Sequence, residues 1–294
     1  MDNRNEIRDF LTSRRARITP EQAGLPVYGH NRRVAGLRRE EVALLAGVSI
    51  DYYTRLERGN ARGASGTVLD ALARALQLDD AERAHLFDLI RAANTSAPPP
   101  PRRPARQQIR PAIQRILDSM TTTPAYIRNG RMDILAANLL GRALYAPLFA
   151  SPAQPPNLAR FLFLDSGAAE FFTDWDRHAQ ETVAILRSEA GRDPYDPALS
   201  GLIGELSTRS QTFRTMWAAH NVRFHRTGTK HIHHPVVGDL TLAYEALDLA
   251  ADSGLRISAY SAEPGTPSAD ALTLLASWAA TPGHGDPARA PDQA

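Results

Sequence analysis

Cysteine is absent from the chain. That excludes disulfide cross-links, thiolate zinc sites and cysteine nucleophiles together, and it fits a reducing, cytoplasmic setting. Long apolar runs are missing too. None reaches the roughly 18 residues of a membrane span, and the first stretch, MDNRNEIRDF, has no apolar signal-peptide core. Phosphate-cradling and nucleophile-elbow patterns are absent: no Walker loop, no G-x-G-x-x-G, no G-x-S-x-G, and TGTK (residues 227–230) has the wrong spacing. Isoleucine and lysine are scarce beside alanine and arginine, as in GC-rich coding sequences.

What is present is a globular composition of 294 residues, 43% hydrophobic and 22% charged, long enough for two domains. The net charge of +2 hides an asymmetry. Residues 1–110 hold 19 Arg against 13 Asp plus Glu, giving +6, while residues 111–294 hold 15 Lys plus Arg against 19 acidic residues, giving −4. A polyanionic partner therefore belongs at the front.

The front half is organised around LRREEVALLAGVSIDYYTRLERG, Leu37 to Gly59. Arg39 to Ala46 places Val42, Leu45 and Ala46 at helical spacing, with Glu40 and Glu41 in the first turn. Gly47 supplies a left-handed helix stop and Ser49 a cap for the next helix, Ile50 to Arg58, which faces inward with Tyr53 and Leu56. Ala43 is small where the helices cross. Two short helices joined by a glycine turn form a helix-turn-helix unit, whose second helix enters the major groove of DNA. A helix over Glu6–Ile18 precedes the unit, and Thr19–Gly36, with Arg32 and Arg33, forms a long loop. Capping-box patterns at Thr67–Asp70 and Asp79–Glu82 open two further helices, making five in all. The wording AGVSIDYYTRLERG closely resembles the recognition segment of the phage-repressor and Cro-like (XRE) helix-turn-helix family of bacterial transcription regulators, with resemblance over residues 5–92.

Thr95–Arg106, TSAPPPPRRPAR, reads as a semi-rigid Pro/Arg-rich linker. Beyond it the pattern becomes mixed. A helix over Gln107–Met120 leads to strands at Pro124–Ile127 and Met132–Ala136 around Asn129-Gly130, a hairpin signal. Asn138 caps a helix to Tyr145. Helices follow over 157–164, 175–190, 197–208 and 210–219, with Asp193 and Asp196 as turn and cap residues. Strands are expected at Val222–His225, Lys230–His234, Leu240–Leu249 and around Leu255, Ile257 and Ala259, and a last helix at Ser268–Ala280. These elements make an α+β domain with an antiparallel sheet of about five strands. The segments FLFLD, FFTDWDRHAQETVAILRSEAGRDP, TGTKHIHHPVVGDLTLAYEAL and AYSAEPGTPSADALTLLASWA resemble the MmyB-like ligand-binding domain, a PAS-like fold, over residues 107–281. The expected division is thus 1–94 for DNA binding, 95–106 as linker, 107–281 for ligand binding and 282–294 as a disordered tail.

On the DNA side, the outer face of the second helix offers Ile50 to a thymine methyl and Arg55 to guanine, with Asp51 either reading an amino group or orienting Arg55. Ser49 caps, Tyr52 is partly exposed, and Arg38, Arg39 and Arg62 sit against backbone phosphates. A single such head buries too little for a tight site, so a homodimer on a double-stranded operator is expected. In the rear domain, Phe161, Phe163, Phe171, Phe172, Trp175, Phe213, Trp217 and Tyr244 can line an apolar cavity or simply fill a core. The family resemblance implies a small hydrophobic ligand, fatty-acid-like in some relatives; Arg214, His220 and Lys230 are the candidates for pairing with a carboxylate head group. His231, His233, His234, His225 and His220 lie near one another in sequence, but no cysteine joins them and their segment precedes a proline turn; neither a metal site nor a cofactor is expected. No catalytic residues are indicated. Two alternatives remain beside the ligand-sensing regulator: a constitutive regulator whose second domain only dimerises, and a metal-dependent enzyme fused to a DNA-binding domain.

Overall fold

A computed structural model of the full chain describes residues 3–26, 34–94, 108–151, 154–219 and 227–281. The linker, the loop arginines Arg32 and Arg33, His220, His225, the strand expected at Val222–His225 and the tail lie outside the described residues. The described residues pack as two compact units. One comprises residues up to 94 with 183–203 and 215–219; the other comprises 108–182, 204–214 and 227–281.

The first unit carries the five expected helices, α1 (Asn3–Arg17), α2 (Arg39–Ala46), α3 (Ile50–Glu57), α4 (Gly66–Ala75) and α5 (Asp80–Asn94). Ile7, Phe10 and Leu11 on α1 bury against Val42, Tyr53 and Leu72, so each amphipathic stripe is closed by its neighbours. On α2 the inward residues are Val42, Ala43 and Ala46; Leu45, expected inside, points outward, because Ala43 takes the crossing point. Gly47 stops α2 in the left-handed region (φ 65°), and Val48 N–H closes on the Ala43 carbonyl at 3.0 Å. Ser49 Oγ then accepts the Tyr52 N–H at 3.1 Å and starts α3. Gly59, at φ 81°, has a second constraint: a Cβ there would meet the Arg4 carbonyl oxygen at 2.4 Å. The cap of α4 is Ser65, not Thr67, since it is the Ser65 hydroxyl that accepts the Val68 N–H. Asp79 and Glu82 form the expected reciprocal box on α5, at 2.8 and 3.2 Å.

The remaining elements are α6 (Pro111–Ser119), β1 (Ala125–Arg128), β2 (Ile134–Ala137), α7 (Leu139–Leu144), α8 (Ala146–Phe149), α9 (Leu158–Leu164), α10 (Ala168–Phe171), α11 (Trp175–Arg192), α12 (Pro197–Arg209), α13 (Gln211–Ala218), β3 (Thr227–His234), β4 (Gly238–Asp248), β5 (Arg256–Ser261) and α14 (Pro267–Ala280). The strands form one antiparallel sheet in the order β2-β1-β5-β4-β3, the α+β architecture expected. Along β4, Leu240, Leu242 and Tyr244 are buried while Thr241, Ala243 and Glu245 are exposed, as the alternation predicts. The β1–β2 connection departs from the Asn-Gly expectation: Met132, at φ 68°, is its left-handed residue. Asn129 and Asp133 impose that turn by mutual bonds of 2.9 and 3.0 Å, with Asn157 donating to Asp133 at 2.8 Å. Asn138 and Asp196 cap α7 and α12 as expected.

Register sorts the two faces of the sheet. Lys230 lies opposite Leu242, Tyr244 opposite Tyr260, and Tyr126 opposite Ser258, so Lys230, Tyr244, Tyr260 and Tyr126 share one face. Ala125, Ile127 and Ile257 occupy the other, against Leu117 of α6.

Candidate functional site

The outward face of α3 is open. Ile50 is 52% exposed, and Ser49, Asp51 and Arg55 are exposed beside it, while Tyr53 and Leu56 on the opposite side are buried. Tyr52 is half-buried beneath Arg55, whose guanidinium lies 5.1 Å from the ring centroid. Arg55 thus rests on the ring of the tyrosine three residues before it. Burial pushes the Tyr53 phenol well up from its ordinary value, consistent with a core role.

The flanking arginines divide. Arg62 is exposed. Arg38 opens α2, its backbone N–H donating to Glu41 at 2.6 Å and its side chain lying 3.3 Å from Glu40. Arg39 donates to Glu57, which raises its pKa, and half of its side chain remains exposed. Glu57 itself is 1% exposed and also accepts Arg15 Nε at 2.7 Å. Sequence reading missed this carboxylate. The signal was there: Glu57 follows Tyr53 and Leu56 on the inward stripe, where an acid needs a cation. The result is a buried acid joining α1, α2 and α3, with half of the Arg39 side chain left in solvent.

In the second unit, the aromatic residues assemble in two groups. Phe161, Phe171 and Phe172 meet one another, and Phe171 and Phe172 also meet Tyr145, with ring centroids 4.9–6.4 Å apart. Phe163 packs edge-on to Trp175 at 5.9 Å and to Phe213 at 5.0 Å, and Trp175 Nε1 donates to the Leu162 carbonyl. Tyr244 stacks on Tyr260, which brings in a cluster that sequence reading missed. Tyr145 Oη donates to Tyr260 Oη at 2.8 Å, and Tyr126 Oη lies 3.0 Å from the same oxygen. Complete burial pushes the phenols of Tyr145 and Tyr260 far up, and burial pushes Tyr244 up to about 12, so all three remain neutral donors.

Lys230 joins this interior. Its ammonium lies 4.9 Å from the Tyr244 ring centroid, 2.8 Å from Glu181 Oε2 and 2.9 Å from His178 Nδ1. Burial lowers the pKa of Lys230, against Glu181, and lowers that of His178. Two expected head-group or lining residues are not brought here. Arg214 is exposed and donates to the Ser207 carbonyl at 3.4 Å, and Trp217 belongs to the other unit, where its ring lies 4.1 Å from the Arg187 guanidinium. The histidines of this segment have separate partners: His231 with Thr241, His233 with Asp239, and His234 Nε2 donating to the Ala143 carbonyl while its Nδ1 accepts Val236 N–H. No group of three metal-ligating side chains occurs among the described residues, nor any helix long and apolar enough to cross a membrane.

Comparison with known families gives two matches. Residues 9–86 match a helix-turn-helix domain, and residues 109–275 match the MmyB-like transcription regulator ligand binding domain. No curated protein matches the chain.

Proposed function

The chain belongs to the family of the MmyB-like transcription regulator ligand binding domain, with a helix-turn-helix domain before it, and from that premise we infer a ligand-controlled operator-binding protein. In this reading residues 1–94 bind double-stranded DNA, 95–106 link, and 107–281 sense a small hydrophobic molecule of fatty-acid-like character. Two copies bind as a homodimer, because one recognition helix covers only a half-site. Ile50, Asp51 and Arg55 face the base edges; Arg38, Arg39, Ser49 and Arg62 face phosphates. Phe161, Phe171, Phe172 and Tyr244 surround the ligand, and Lys230 meets its head group. Ligand binding changes operator affinity by favouring one placement of the paired DNA-binding heads. No catalytic step is involved.

The observation that carries this reading is the polarity of α3: Tyr53 and Leu56 are sealed into the core, while Ile50, Asp51 and Arg55 stand free on the other side. A random-duplex selection with the full chain tests it, followed by affinity measurements with lipid-stripped and lipid-loaded protein. Enrichment of a two-fold-symmetric sequence whose affinity differs between the two preparations is expected. No enrichment, or equal affinity, contradicts it.

The mutual ring contacts of Tyr145, Phe161, Phe171 and Phe172 also suit a filled, purely structural interior, as in a constitutive dimerising domain. Native mass spectrometry separates the two: a small molecule retained by the purified protein favours sensing.

A further inference from the structure

The family match assigns residues 109–275 to the ligand-binding domain, yet residues 183–203 and 215–219 pack with the DNA-binding helices. The reason lies in α11, one helix whose residues up to Thr182 belong to the sheet unit and whose residues from Val183 onward belong to the other. Glu181 to Arg187 are seven consecutive buried residues, about two turns with no face to solvent. A helix closed on every side is an interior element and not one wall of a surface. Arg187 is the polar centre of its second half. It is 1% exposed; its Nη1 donates to Glu6 of α1 at 2.7 Å, its Nη2 donates to the Trp217 carbonyl, and its guanidinium lies 4.1 Å from the Trp217 ring centroid. One turn on, Gly191 lies against α5: a Cβ there would stand 2.6 Å from the His85 ring. An arginine this deeply buried is tolerated only while its acid stays beside it, so the contact is either whole or broken.

From Glu6 the connection runs along α1 to the recognition helix. Arg4, two residues before Glu6, lies so close to Gly59 that a Cβ at Gly59 would strike its carbonyl, and Arg15 holds Glu57 at 2.7 Å. α1 therefore meets the C-terminal end of α3 at two places. At its other end, α11 begins among the aromatic rings of the second unit, with Trp175 edge-on to Phe163 and His178 edge-on to Phe172. His178 and Arg187 stand on one helix, roughly 14 Å apart along its axis. We propose that Arg187 is a latch: seated on Glu6 and Trp217, it holds α1, and through α1 the recognition helix, in the placement that fits the groove, and a molecule that displaces the start of α11 unseats it. With the latch closed the outward face of α3 is open, so the seated state is the one that binds DNA. This deepens the ligand-controlled function and rests on it: it names the contact through which control reaches α3.

The test uses the full chain and the enriched duplex, read by amide hydrogen exchange and by duplex affinity. Saturating duplex is expected to slow exchange in α3, where it binds, and by reciprocity to slow it about fivefold in Val183–Arg192 as well. Arg187→Met should weaken duplex binding about fivefold or more and abolish the response of Val183–Arg192, at a temperature where circular dichroism shows the variant folded. A residue that only stabilises the fold would move neither readout there. Glu6→Gln, which keeps the length of the side chain and an acceptor oxygen, should shift both readouts the same way, and exchange in the parent protein tests the latch even if Arg187→Met does not fold. Slowing in α3 alone, or unchanged or tighter duplex binding by the variants, overturns the latch and leaves DNA binding standing. Slowing in neither helix overturns both.

Discussion

Arg15 on α1 donates to Glu57 at the end of α3 across 2.7 Å, and Glu57 has almost no contact with water. The recognition helix is thus fixed to the rest of its domain by a charge pair as well as by Tyr53 and Leu56.

Glu57→Gln is expected to lower stability by about 3 kcal/mol, because it strands the mostly buried Arg15. Arg39, half-exposed, contributes little to that loss. Denaturant unfolding of the full chain checks it, and a change below about 1 kcal/mol would show that solvent already screens the pair.

The helix-turn-helix was legible because its signals are local: Gly47 for the left-handed stop, Ser49 for the cap, Tyr53 and Leu56 for the inward side. The five-stranded sheet was legible for the same reason, in the strict alternation of β4. Buried charges were not. Glu57 lies on the inward stripe, but its cations Arg15 and Arg39 are 42 and 18 positions away, and Glu181 reads as a surface partner of Arg177 until Lys230, 49 positions on, is brought alongside. The hydroxyl cluster of Tyr126, Tyr145 and Tyr260 joins residues up to 134 positions apart, which no periodicity reports. Leu45 and Met132 show local pattern overruled by packing, the first by the closeness of the α2 crossing and the second by the Asn129–Asp133 bonds.

Arg39→Ala is expected to weaken binding to every duplex alike and to reduce the slope of log affinity against log salt by about one phosphate contact. Titrations of an enriched and a scrambled duplex at several salt concentrations check this. A loss confined to the enriched sequence would place Arg39 at a base edge.

Acid should loosen the second unit. Burial lowers the pKa of His178 and, with its bond to Ala143 opposing, that of His234, from the ordinary value of 6.5. The unfolded chain takes up a proton at each ring near that value and the folded chain only below it, so stability falls as pH drops beneath about 6.5. His178→Phe should flatten that slope between pH 7 and pH 5. An unchanged slope would mean that His178 titrates normally.

Glu6 carries the opposite sign. Burial raises its carboxyl above 4.5 despite Arg187, which donates to it at 2.7 Å. The folded chain holds that proton to a higher pH than the unfolded one, so stability declines as pH rises above about 4.5. Arg187→Met removes the opposing cation and should steepen the decline between pH 4.5 and pH 7. Adding Glu6→Gln should cancel the extra slope; persistence of the slope in the double variant would assign it to another acid.

The most direct measurement is the affinity of Arg55→Ala for the enriched duplex and for a scrambled one of equal length. A loss of about 1–3 kcal/mol on the enriched duplex, little change on the scrambled one and relaxed preference at one base pair are predicted. Equal affinity of the variant and the parent protein for the enriched duplex would contradict the placement of α3 in the groove.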